Sequence, residues 1–123
     1  MLISLVIPCY NEEASLPLLN EALCSVRKEL PDYRFELVYV DDGSKDKTLS
    51  ILRDVCQKDA DARYISFSRN FGKEAAIYAG LSESKGDLVA IMDADMQDPP
   101  SLIPEMLRIM NEGDYDVVAT RRV

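Results

Sequence analysis

The chain has 123 residues, 47% of them hydrophobic and 29% charged, which is the balance of one globular domain with a sizeable core. A formal net charge of −8 argues against a general nucleic-acid binder, because a phosphate backbone needs a basic face. Histidine is absent and the three cysteines form no CxxC pair, which argues against a zinc site and against Ser-His or Cys-His catalysis.

Cys9, Cys24 and Cys56 are odd in number and widely spaced, and read as reduced core thiols of a cytoplasmic chain. The first eight residues, Met-Leu-Ile-Ser-Leu-Val-Ile-Pro, lack a basic leader and a long apolar core, so they read as a strand and not as a signal peptide. No run reaches the ~18 apolar residues that span a bilayer.

Residues 2–7 form a short apolar run stopped by Pro8, as expected of a strand buried on both faces. A loop over 9–13 leads to a helix beginning near Ser15. Pro17 falls in its first turn, and Leu16, Leu19, Leu23 and Val26 recur at helical spacing. Lys28 suits the far end of that helix, and Pro31-Asp32 ends it. Residues 35–40 are the second strand, which stops on Asp41-Asp42-Gly43-Ser44. Gly43 can take the left-handed conformation of a tight turn. Ser44 or Asp46 can cap the next helix, whose apolar residues include Leu49, Leu52 and Val55.

A third strand is expected over 62–68, with 69–73 as its exit loop. A helix over 74–84 follows, whose small residues Ala75, Ala76, Ala79 and Gly80 permit close approach to a sheet. Residues 87–92 form the fourth strand. It runs into Asp93-Ala94-Asp95-Met96-Gln97-Asp98, closed by Pro99 and Pro100. Ser101 is expected to cap a helix that carries Pro104 in its first turn and reaches about Glu112. A fifth strand is expected over 115–120. Strands alternate with helices throughout. The fold class is therefore α/β, a mostly parallel open sheet with helices on both faces and no linker or repeat.

In such sheets ligands bind outside the carboxyl ends of the strands. Those ends carry Pro8, Tyr10 and Glu12, then Val40, Asp41 and Asp42. The later ends add Arg69, Asn70 and Lys73, then Asp93, Asp95, Gln97 and Asp98, and finally Arg121 and Arg122. Taken singly, Asp-Asp-Gly-Ser is a turn, Arg69 and Lys73 a solvated face, and Tyr10 a packing residue. Taken together they crowd acids that repel one another unless a cation compensates. A divalent metal bridging a diphosphate resolves that conflict, and hard oxygen ligands suit Mg²⁺ or Mn²⁺.

In order and spacing, Pro8-Cys9-Tyr10-Asn11-Glu12, Val40-Asp41-Asp42-Gly43-Ser44 and Asp93-Ala94-Asp95-Met96-Gln97-Asp98-Pro99-Pro100 resemble the family 2 glycosyltransferases, which have the GT-A fold. Ser68-Arg69-Asn70-Phe71-Gly72-Lys73-Glu74-Ala75-Ala76 and the Gln-Asp-Pro-Pro ending resemble the polyprenyl-phosphate branch. That branch includes bactoprenol glucosyltransferases and dolichol-phosphate mannosyltransferases.

The resemblance implies a role for each matched position. Pro8, Tyr10 and Glu12 contact base and ribose. Val40 and Asp42 line the base pocket, with Asp42 accepting from the base. Asp93, Ala94 and Asp95 hold the ribose–diphosphate end and the metal, and Gln97 completes the metal shell. Arg121 lies near the diphosphate, and Lys73 is a weaker phosphate contact. The chain reads as the nucleotide-sugar part, 1–123, of a longer transferase whose acceptor half and catalytic base follow Val123. The parent is expected at the cytoplasmic face of a membrane.

The implied reaction is an inverting transfer from a nucleoside diphosphate sugar, leaning to a UDP-hexose, onto a lipid phosphate or a glycan. The alternative is a non-catalytic remnant that keeps the nucleotide-diphosphate and metal site. A phosphoacceptor receiver domain needs its acidic pair after the first strand, whereas here acids follow the second and fourth. A haloacid-dehalogenase-type phosphatase carries Asp-x-Asp on its first strand, and Met96-Gln97 breaks its pattern.

Overall fold

The computed structural model describes residues 1–95, 100–113 and 117–119. Five strands, β1 (Leu2–Cys9), β2 (Arg34–Asp41), β3 (Ala62–Ser66), β4 (Leu88–Ile91) and β5 (Val117–Ala119), form one sheet in the order β3-β2-β1-β4-β5. Every pairing is parallel. The helices are α1 (Leu16–Glu29), α2 (Thr48–Lys58), α3 (Lys73–Glu83) and α4 (Ile103–Gly113), the last preceded by a 3-10 turn over Pro100–Leu102. The expected α/β class is the one observed. Among the described residues no helix is long and apolar enough to cross a membrane.

The central strand β1 is buried from Ile3 to Cys9 because helices cover both of its faces. On one face Ile3, Leu5, Ile7, Leu37 and Tyr39 join Leu19, Leu23, Leu52 and Ile103 in the main core. The opposite face receives α3. A Cβ built on Gly80 would lie 2.3 Å from Val6 Cγ1 and 3.4 Å from Val40 Cγ2, so only glycine lets this helix sit so close. Helical spacing placed α1 correctly: Leu16, Leu19, Leu23 and Val26 are its buried residues, and Pro17 lies in the first turn.

Several boundaries differ from the sequence reading. β1 is not stopped by Pro8 but stays paired with β2 through Cys9, β4 covers only Leu88–Ile91, and α3 starts and ends one residue earlier. Two further shifts follow. β3 stops at Ser66 and not at residue 68. Phe67 makes the final bond to β2, its N–H donating to the Asp41 carbonyl at 2.9 Å. Its ring then meets Phe71 edge-on at 5.6 Å and turns the chain. Ser101, expected to cap α4, instead lies inside the 3-10 turn, which tightens the entry and buries Pro100.

The strand order reverses direction between β1 and β4. Ile91 is paired with Val6, which brings Asp93 level with Pro8. This is the switch point at which open α/β sheets leave a crevice.

Candidate functional site

The loops at this edge are stitched together by side chains. Asn11 takes φ 54, a left-handed conformation that asparagine tolerates better than most residues. There its N–H donates to Ser44 Oγ at 2.9 Å, and its Oδ1 accepts from the Lys45 N–H at 2.9 Å. The Glu12 N–H donates to Thr48 Oγ1 at 2.8 Å. Neither expected residue occupies the cap of α2, which is Lys47. Asp46, one residue before it, has a carboxylate that accepts the Thr48 N–H at 2.9 Å and the Glu13 N–H at 3.2 Å. Desolvation pushes this carboxyl upward. Hydrogen bonds from Thr48 and from the backbone outweigh that push and hold it below its ordinary range.

A second clamp joins the β2 exit to the β3 exit. Asp42 is 4% exposed, and its carboxylate accepts the Phe71 N–H at 2.7 Å and the Gly72 N–H at 3.1 Å. A Cβ on Gly43 would fall 2.2 Å from the carbonyl carbon of Arg69, so the two turns are in direct backbone contact. This clamp sets the start of α3 and the root of Lys73. The Lys73 ammonium reaches Asp93 Oδ1 at 2.5 Å.

Between these loops lies a cavity of 140 Å³ lined by Pro8, Cys9, Tyr10, Glu12, Asp42, Lys73, Ala76, Asp93, Ala94 and Asp95. Eight sequence-predicted site residues thus meet on one wall: Pro8, Tyr10, Glu12, Asp42, Lys73, Asp93, Ala94 and Asp95. Val40 does not join them; it is fully buried against α3 beneath Gly80. Gln97, Arg121 and Arg122 lie outside the described residues. The volume is below the roughly 300 Å³ of a pocket that encloses a drug-sized ligand, so the cavity suits one end of a larger molecule. Cys9, a buried lining residue, is an inert thiol: burial first, then the charges of Asp41 and Glu12, push its pKa well up.

Among the described residues no group of three or more His, Cys, Asp or Glu side chains forms a ready-made metal cluster. Asp93 and Asp95 still place two hard carboxylates on the cavity wall. Mg²⁺ is commonly held by one or two carboxylates together with substrate phosphates, and the donor set here fits that arrangement.

Residues 4–123 match the family model described as glycosyl transferase family 2. The chain belongs to that family. A curated relative, the undecaprenyl-phosphate 4-deoxy-4-formamido-L-arabinose transferase of Pseudomonas syringae, is 45% identical over 125 residues, covering 98% of this chain and 35% of its own length. This family 2 chain therefore spans about a third of that relative. Among solved structures, TarS of S. aureus (residues 1–349) is 24% identical with a TM-score of 0.70, covering 93% of this chain and 33% of its own. It supports the GT-A fold. The mannosyltransferase PcManGT of Pyrobaculum calidifontis, solved with GDP-Man and Mn²⁺, is 28% identical with a TM-score of 0.58. That match covers 76% of this chain and 27% of PcManGT.

The loop-bridging residues Asn11, Ser44, Asp46 and Thr48 were not singled out as a set by sequence reasoning. The signal was present only in part, as an asparagine at a strand exit and an Asp-x-Thr at a helix start.

Proposed function

We propose that residues 1–123 form the donor-binding part of a hexosyltransferase that moves a sugar from a nucleoside diphosphate sugar, with a UDP-hexose favoured, to a polyprenyl phosphate. One observation carries the reading: eight residues from four separate chain segments converge on one cavity at the β1/β4 switch point. The names of the relatives support the donor and acceptor classes, since one acts on undecaprenyl phosphate and another was solved with GDP-Man and Mn²⁺.

In this reading Pro8, Tyr10 and Glu12 receive base and ribose on the β1 side. Asp42 frames the base pocket, and Val40 supports it from below. Asp93, Ala94 and Asp95 take the ribose–diphosphate end, with Lys73 beside it. In the same reading Gln97 is a further metal ligand and Arg121 a diphosphate contact. Asp93 and Asp95 would hold Mg²⁺ or Mn²⁺, which when bound supplies Lewis-acid stabilisation of the leaving diphosphate.

An acceptor phosphate oxygen forms a bond to the anomeric carbon from the face opposite the diphosphate. The bond from that carbon to the diphosphate oxygen breaks, its electron pair leaves with the diphosphate, and the configuration inverts. A phosphate acceptor is already an anion and needs less help from a general base than a sugar hydroxyl does. In this reading the complete enzyme works at a membrane, where its lipid acceptor is held, and on the cytoplasmic face. Calorimetry with UDP and with GDP, each with and without Mn²⁺, tests the donor site. Metal-dependent binding of one nucleotide is expected, and binding of neither would sink the reading.

A further inference from the structure

The Lys73–Asp93 pair joins a fixed root to a movable head. The root is fixed because Asp42 holds the N–H groups of Phe71 and Gly72, and Gly43 abuts the backbone of Arg69 and Asn70. The head is movable because the Lys73 side chain is 59% exposed on a flexible four-carbon stem, whereas that of Asp93 is only 22% exposed. Lys73 is also the first residue of α3, where the helix dipole disfavours a cation. An anion arriving at that end would be drawn by the helix terminus and the ammonium together.

We propose that Lys73 is an exchangeable counter-ion of Asp93, which a divalent metal must displace, so that metal entry is tied to arrival of the diphosphate. The inference rests on the donor-site reading and adds a coupling to it. Without nucleotide, a metal at Asp93 breaks the ion pair and leaves the ammonium beside a second cation. With a diphosphate present, the released ammonium has phosphate oxygens to bind while the metal takes its place. Linkage then requires nucleotide to tighten metal binding and metal to tighten nucleotide binding by the same factor.

Free Mn²⁺ measured by electron paramagnetic resonance, with and without UDP or GDP, reads this coupling directly. Lys73→Gln should tighten nucleotide-free Mn²⁺ binding by roughly two- to fivefold, the range expected for losing competition from an exposed ion pair. The same variant should shrink the factor by which nucleotide tightens Mn²⁺. Lys73→Arg, which keeps the charge, should retain the weak nucleotide-free binding. If Lys73→Gln leaves nucleotide-free Mn²⁺ affinity unchanged or lowers it, the exchange is wrong even where nucleotide affinity falls. If the unmodified chain retains no Mn²⁺ with either nucleotide, the donor-site reading fails and the exchange fails with it.

Discussion

The two edges of the sheet carry similar side chains and use them in opposite ways. At the amino edge the polar groups close on one another. Ser4 Oγ donates to Glu36 at 2.5 Å and accepts the Gly86 N–H at 2.8 Å. Glu36 also accepts the Lys85 N–H at 2.6 Å and pairs with Arg63 at 2.8 Å. A Cβ on Gly86 would fall 2.5 Å from Ser4 Oγ, so no room is left. At the carboxyl edge the bridging falls to Asn11, Ser44, Asp46 and Thr48, none of which lines the cavity. That arrangement leaves Tyr10, Glu12, Asp93 and Asp95 on the cavity wall. Acids and cations in a strand-end cluster therefore signal a lock where they fill the space between strands, and a site where they line a cavity.

The sharpest way to break this contrast is Asp95→Asn. The substitution keeps the shape and removes a charge from the cavity wall. It should abolish metal-dependent nucleotide binding while circular dichroism and melting temperature stay as in the unmodified chain. Equal calorimetric affinity in the variant would mean that the carboxyl edge is as self-contained as the amino edge.

A smaller effect is expected at Asp42, which belongs to both worlds: it lines the cavity and also serves as a clamp. Asp42→Ala leaves the Phe71 and Gly72 N–H groups without their acceptor. Hydrogen bonds to a charged group are worth about 1.5–3 kcal/mol, and global stability should fall by that order. Amide exchange should quicken locally at Phe71 and Gly72 before the sheet opens. Exchange at those two amides no faster than in the unmodified chain would remove the clamp from the argument.

Much of this was open to reading from residues because strand ends are written locally. Apolar runs that end within two residues of Pro8, Asp41 and Asp93 fix where β1, β2 and β4 deliver their side chains, and alternation with helices fixes a parallel sheet. The remainder depends on contacts between distant segments. Asn11 meets Ser44 across 33 residues, and Asp42 meets Phe71 across 29, so no local pattern announces either bond. Val40 sits at the right strand end for a base pocket. However, alternation turns its side chain under α3, and only the packing of Gly80 reveals which face that is.

The mildest expected effect tests the lock itself through pH. Desolvation raises the Glu36 pKa, but the Ser4 hydroxyl, the Lys85 N–H and the Arg63 charge outweigh it and hold the carboxyl below its ordinary value. A depressed folded pKa means that the unfolded chain binds more protons in the window between the two values, so stability rises with pH there. The contribution of Glu36 is fully present above the unfolded carboxyl pKa of about 4.3, and is lost as pH falls through the lower folded value. Glu36→Gln should therefore melt below the unmodified chain at neutral pH, with the gap narrowing as the solution is acidified past pH ~4. Nucleotide affinity of the folded variant should not change, because the lock lies at the other end of the strands. A gap that stays constant from neutral to acid pH would show that the glutamate acts through shape and not through its charge.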